Sequence, residues 1–169
     1  MQIRKCDIND LEALKAISIN TFIDTYAHLN TPENVEKHLA HAFNDHQLTD
    51  EINHPYIVFY LFYQNGHLCG YLKLCWNDAQ SEKMDIEYIE IERIYVLKAF
   101  HRQGIGRKMV EYTRDVAIAL NKSKIWLGVW KKNPEAVIFY KKVGFKIFGE
   151  HTFTVGDDEQ SDWMMEMHV

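Results

Sequence analysis

Gly104 and Gly106 stand one residue apart in the run His101-Arg102-Gln103-Gly104-Ile105-Gly106-Arg107-Lys108. Glycine lets a main chain come close to a ligand, and successive N–H groups at the start of a helix point at an anion. Residues 98–108 carry Lys98, Arg102, Arg107 and Lys108 and no acid, in a chain whose net charge is −5. That local excess suits a ligand with several phosphates. The run is not a Walker loop, and Met109 stands where a dinucleotide fingerprint needs its third glycine. Taken alone, one G-x-G also fits a tight turn with a solvated basic rim. A second group of chemical interest follows about one strand and one helix later: Asn133, Ala136, Phe139 and Tyr140. Upstream, Glu90 and Glu92 alternate within a long apolar segment. Carboxylates and a phenol are groups that move protons.

The elements that must position these residues follow from periodicity and caps. Ile3–Cys6 reads as a first strand. Asp7–Tyr26 has Leu11, Leu14, Ile17 and Phe22 at helical spacing, with Asn9 or Asp10 as N-cap. Thr31 caps a second helix with Pro32 at its first position, running through Val35, Leu39, Ala42 and Phe43. Tyr56–Tyr63 and Leu68–Trp76 form a hairpin across Asn65-Gly66. Ile86–Val96 is a long strand in which Glu90, Glu92, Ile94 and Val96 share one face and Ile91, Arg93 and Tyr95 the other. Gly104 opens a helix with Met109, Val110, Thr113, Val116, Ala117 and Leu120 on one side. Ile125–Trp130 is a short apolar strand. Asn133-Pro134 opens a last helix that Gly144 closes, and Phe145–Val155 pairs with Trp163–Val169 around Gly156-Asp157-Asp158. The order β-α-α-β-β-β-α-β-α-β-β gives an α/β (α+β) chain, with a mixed sheet and helices on both faces.

Composition narrows the function. At 169 residues the chain is one domain, 1–169. Its longest apolar run, Tyr56–Tyr63, falls far short of the roughly 20 residues that span a bilayer. The N-terminus lacks the apolar stretch of a signal peptide, so a cytoplasmic protein with no membrane role is expected. The 3 cysteines have no C-x-x-C pairing, and the 9 histidines fall in no zinc-site spacing, so no metal is expected. A net charge of −5 argues against nucleic acid and is compatible with a cationic substrate.

The succession strand, R/Q-x-x-G-x-G, helix, apolar strand, N-x-x-A-x-x-F-Y-x-x-x-G-F resembles the GCN5-related N-acetyltransferase (GNAT) family, and the element order is similar from end to end. Within it the chain looks most like the Pai-type bacterial spermidine/spermine N-acetyltransferases. The similarity includes Thr21-Phe22-Ile23-Asp24-Thr25-Tyr26, Pro32-Glu33-Asn34, Asp78-Ala79-Gln80-Ser81-Glu82, Glu90–Tyr95 and Trp126-Leu127-Gly128-Val129-Trp130. His101 departs from the family signature, which usually has Gln or Arg there.

The resemblance implies a sheet that is mostly antiparallel, and acetyl-CoA as co-substrate. Its pyrophosphate would lie on the backbone of Gln103, Gly104, Ile105, Gly106, Arg107 and Lys108, with His101 and Arg102 adding donors. Its pantetheine arm would pair with the backbone of Ile94, Tyr95 and Val96 and with Asn133, which also suits an N-cap. Tyr140 would be the general acid for the leaving thiolate. An alkylammonium near pKa 10 must lose a proton before it attacks; Glu90 or Glu92 would accept it. Phe22, Asp24, Tyr26, Glu33 and Asp78 would contact a polyamine. The expected partner is a small-molecule amine, and the chain is expected as a monomer or homodimer. A GNAT acting on a peptide N-terminus, a lysine or an antibiotic, and a non-catalytic coenzyme-A sensor, are the alternatives.

Overall fold

Asp10 stands at the N-cap of the first α-helix, as expected, but makes no side-chain cap bond there; Asp7 caps the 3-10 turn that precedes it. In the computed structural model, which describes residues 1–155 and 158–169, strand β1 (Gln2–Lys5) leads into a 3-10 turn (Ile8–Asp10) and then α1 (Leu11–Tyr26). The Asp7 carboxylate accepts the Asn9 N–H at 2.8 Å, and Asp10 accepts the Asp7 N–H at 3.0 Å. This reciprocal cap satisfies donors that a helix start leaves open. Helix α2 (Pro32–Ala42) begins as its sequence indicates, with the Thr31 hydroxyl accepting the Asn34 N–H at 3.3 Å. A further helix, α3 (Asp45–Asn53), adds a third to the two expected before the hairpin. Only Leu48 and Ile52 are apolar in it, too few to show a period; its one signal is Asn44, whose side chain accepts the Gln47 N–H at 2.9 Å.

Strands β2 (Ile57–Gln64) and β3 (His67–Trp76) meet at Asn65 and Gly66, with φ of 51° and 80°. Two left-handed residues are what a two-residue hairpin turn requires. Then follow β4 (Tyr88–Val96), α4 (Ile105–Ala119), β5 (Lys124–Trp130), α5 (Pro134–Lys142), β6 (Lys146–Val155) and β7 (Asp158–His168). Gly156 and Asp157, expected in the last turn, lie outside the described residues. The sheet order is β1-β2-β3-β4-β5-β7-β6, antiparallel throughout except for β4 beside β5. One face, with Leu72, Ile89 and Ile91, packs on Met109 and Val110 of α4 and Tyr140 of α5. The other, with Phe59, Leu61 and Tyr71, packs on Leu14, Ile17, Val35 and Leu48 of α1–α3. Among the described residues no helix is long and apolar enough to cross a membrane.

Strand β4 departs from regularity on both edges. Its ladder to β5 runs only from Tyr88↔Lys124 to Glu90↔Trp126, after which the two parallel strands part. Against β3 the register slips: Lys73 faces Arg93, Leu74 faces Ile91, and Glu92 is the extra residue. A bulge of this kind shifts the in–out alternation by one. Glu90 and Glu92 therefore share a face, as expected, but they share it with Arg93 and Tyr95. Ile94 and Val96 go with Ile91 to the other side, correcting the alternation read from sequence.

Candidate active site

The parting of β4 and β5 opens a cavity of about 800 Å³. Its walls come from both sides of the sheet: the start of α4 and one flank of α5 from one side, the end of α1 and Asp162 of β7 from the other. A ligand entering from one face can thus meet a ligand entering from the opposite one.

On the α4–α5 side, Gly104 has φ 77° and precedes α4, whose first-turn N–H groups have no carbonyl partner within the helix. A Cβ on Gly106 would come within 3.2 Å of the Phe139 ring, so any other residue there would make the ring give way by a few tenths of an ångström. His101, Arg102, Gly104, Gly106 and Arg107 line the cavity. The His101 ring is 2.8 Å from the Val96 carbonyl oxygen. The side chains of three neighbours in the motif turn elsewhere. Ile105 is buried in the core, Gln103 is held by Gln64 at 2.7 Å and donates to the Ala99 carbonyl at 3.3 Å, and exposed Lys108 lies off the cavity wall.

Ile94, Tyr95 and Val96 line the cavity where β4 has left β5. Asn133 caps α5, its side-chain oxygen accepting the Ala136 N–H at 3.2 Å, and still reaches the cavity wall. Tyr140 is 9% exposed and packs edge-on against Phe139 and Phe145. Among the described residues its hydroxyl has no hydrogen-bond partner. Burial pushes this phenol well above its ordinary value, so it stays a proton donor.

The two glutamates have unlike settings. Glu90 is 3% exposed, off the cavity, and accepts the Ser81 N–H at 2.7 Å and the Ser81 hydroxyl at 2.5 Å. Burial outweighs those donors and raises it from 4.5 to about 7. Glu92 lines the cavity. Buried Lys73 stands 2.7 Å from it and 2.8 Å from Glu51, Arg93 lies 3.5 Å from both acids, and the Cys75 thiol donates to Glu92 at 3.0 Å. Burial alone would raise Glu92; Lys73 and then Arg93 overcome it and hold the carboxyl below its usual range.

Of the residues expected to meet an amine, Asp24 and Tyr26 line the cavity. Phe22 is instead buried and stacks on His38 at 4.2 Å. Glu33 sits exposed in the first turn of α2 and Asp78 in the 3-10 turn Asn77–Ala79, both away from the cavity. Sequence reasoning missed Trp130 and Asp162, which do line it. Tyr26 lies 5.8 Å from the Trp130 ring centroid and accepts the Tyr95 hydroxyl at 3.2 Å. Asp162 carries no motif; only the pairing of β7 with β5, directly opposite Trp130, brings it in.

Comparison with known proteins agrees with the fold. The model of the acetyltransferase (GNAT) family matches residues 22–145. An uncharacterized N-acetyltransferase of Lactobacillus delbrueckii subsp. lactis is 41% identical over 157 residues, 93% of this chain and 91% of that one. A spermidine N(1)-acetyltransferase of Thermoplasma acidophilum is 25% identical, over 98% and 96% of the two chains. The crystal structure of the PaiA N-acetyltransferase from Thermoplasma acidophilum in complex with coenzyme A superposes with a TM-score of 0.80 at 23% identity, covering 99% of this chain and 98% of that one. The chain belongs to the GNAT family of acetyltransferases.

Proposed function

We propose that the chain transfers the acetyl group of acetyl-CoA to a primary amine of a polyamine such as spermidine, by direct attack of the amine on the thioester. The observation that carries this reading is a single cavity joining the glycine loop of α4, an unpartnered Tyr140 hydroxyl and, on the opposite side of the sheet, carboxylates at Asp24, Glu92 and Asp162. Likeness to the Thermoplasma spermidine enzyme supports the substrate class.

The residues fit the co-substrate. Its pyrophosphate would lie on the first-turn N–H groups of α4, with Arg102 and Arg107 beside them. Beyond Glu90 the edge of β4 turned toward β5 has no ladder partner among the described residues, so its backbone groups around Ile94–Val96, apart from the Val96 carbonyl that the His101 ring meets, are available to an amide-bearing arm. The Asn133 oxygen caps α5 and leaves its amide nitrogen to donate. Acetyl-CoA supplies an activated acyl carbon and a thiolate leaving group. Tyr140 donates its phenolic proton where that thiolate leaves. Glu92 has the cavity access that Glu90 lacks; directly or through one water, it takes the proton that the amine nitrogen sheds. Three buried cysteines outside any disulfide suit a reducing compartment and support a cytoplasmic reaction.

Mass spectrometry of a mixture of the protein, acetyl-CoA and spermidine tests the reading. Monoacetylated spermidine is expected. Acetylation of peptide N-termini, lysine or an aminoglycoside with spermidine untouched would replace the substrate class, and no product with any amine would leave a coenzyme-A-binding protein without turnover.

A further inference from the structure

Three residues stand in a row across the last strands: Trp130 on β5, Asp162 on β7 and His151 on β6, each directly opposite the next. The His151 ring bridges two acids. Its Nδ1 is 3.0 Å from the Glu82 carboxylate and its Nε2 is 3.4 Å from Asp162 Oδ2. The space for this pair depends on Gly128, where a Cβ would stand 3.0 Å from Asp162 Oδ2 and 3.2 Å from His151 Nε2. Asp162 Oδ1 is buried and, among the described residues, has no hydrogen-bond partner, while the residue lines the cavity. A buried carboxylate oxygen left without a donor is costly, because it loses water and gains nothing in return.

We infer that Asp162 is a specificity residue: its carboxylate, which lines the cavity and has one oxygen that no protein donor meets, takes an ammonium of the acceptor that is not the nitrogen being acetylated, so the site selects amines carrying a second cation. This rests on the reading of the chain as an amine acetyltransferase and adds to it the residue that distinguishes a polyamine from a monoamine. An ammonium has N–H donors and no acceptor, which matches what Oδ1 lacks. Even with a charged imidazole between them, Glu82 and Asp162 leave one net negative charge. The reacting nitrogen must lose its proton, and a carboxylate against it would hold that proton on. The ammonium at Asp162 is therefore the one that stays charged. Tyr26 and Tyr95 stand close enough to feel the acid: burial chiefly, and the charge of Asp162 in lesser part, keep both phenols protonated. Glu92, on β4, is already neutralised by Lys73 and Arg93. Of the acids on the cavity wall Glu92 is thus the neutralised one and remains the proton acceptor, while the Glu82–His151–Asp162 group, reaching the wall through Asp162, and the exposed Asp24 leave negative charge facing the ligand.

The test is the ratio of kcat/KM for spermidine over butylamine in the wild type, in Asp162→Asn and in Asp162→Ser, with acetyl-CoA saturating. Thermal unfolding with and without acetyl-CoA shows that each variant is folded. Removing one partner of a partly buried charge pair should lower the ratio at least about tenfold, through KM for spermidine rather than kcat. A wild-type enzyme that prefers spermidine, with both folded variants keeping that preference, would overturn the role of Asp162 and leave the polyamine reading standing. So would an equal loss for the two amines. A wild type without preference for spermidine would overturn the reading and the role together.

Discussion

The Tyr140 hydroxyl meets no partner among the described residues, so its removal separates chemistry from folding. Tyr140→Phe keeps the ring against Phe139 and Phe145. Turnover should fall by about 10²–10⁴-fold, the usual range for a lost general acid, with the melting temperature little changed. Near-full turnover in the Phe variant across pH would show that the thiolate leaves without this proton. Glu90 makes a prediction of the opposite kind, on stability. Its carboxyl titrates near 4.5 when exposed and at about 7 when folded. Between those values the native state holds the extra proton, so the contribution of Glu90 is complete below pH 4.5 and is lost as pH rises through 7. Glu90→Gln should remove that slope, making the variant gain on the wild type in urea melts as pH rises from 5 to 8. Parallel pH profiles for the two would deny the shift. Neither setting is visible in sequence: Glu90 and Glu92 read as equivalent acids two residues apart. The bulge at Glu92, Lys73 beneath it and Ser81 over Glu90 make one an ion-paired cavity wall and the other a buried acid.

At the scale of elements, what was legible is what local chemistry determines. Thr31-Pro32, Asn65-Gly66, Gly104 and Asn133-Pro134 mark the ends of elements by caps and backbone angles, and the structure puts boundaries at each. The glycine loop and Tyr140 are joined into one expected site by the family resemblance, whose two motifs keep their separation through the intervening regular elements. The short polar α3 was not legible, nor was the site contribution of β7, because both depend on tertiary pairing. The loop at the start of α4 makes a testable claim of its own. Gly106→Ala sets a methyl 3.2 Å from Phe139, on the side where α5 meets the loop. Saturating acetyl-CoA should raise the wild-type melting temperature, since a ligand at about 100 times its Kd adds about 2.7 kcal/mol to the native state. The Ala variant should show a smaller rise at the same concentration. An equal rise in both would mean that the close contact of loop and α5 is irrelevant to binding.

The whole molecule is a sheet pried open along one seam, with a basic loop on one side and acids on the other. Its net charge of −5 adds a long-range attraction for a polycation. Ionic strength screens partly exposed charges over about 8–10 Å near physiological salt. Added salt should therefore lower kcat/KM for spermidine more than for a monoamine. The central claim is that this seam joins acetyl-CoA to a polyamine. Initial rates of free-thiol release, with acetyl-CoA saturating and spermidine or butylamine varied, test it most directly. The account predicts a kcat/KM clearly higher for spermidine; equal values for the two amines, or thiol release that neither amine stimulates, would contradict it.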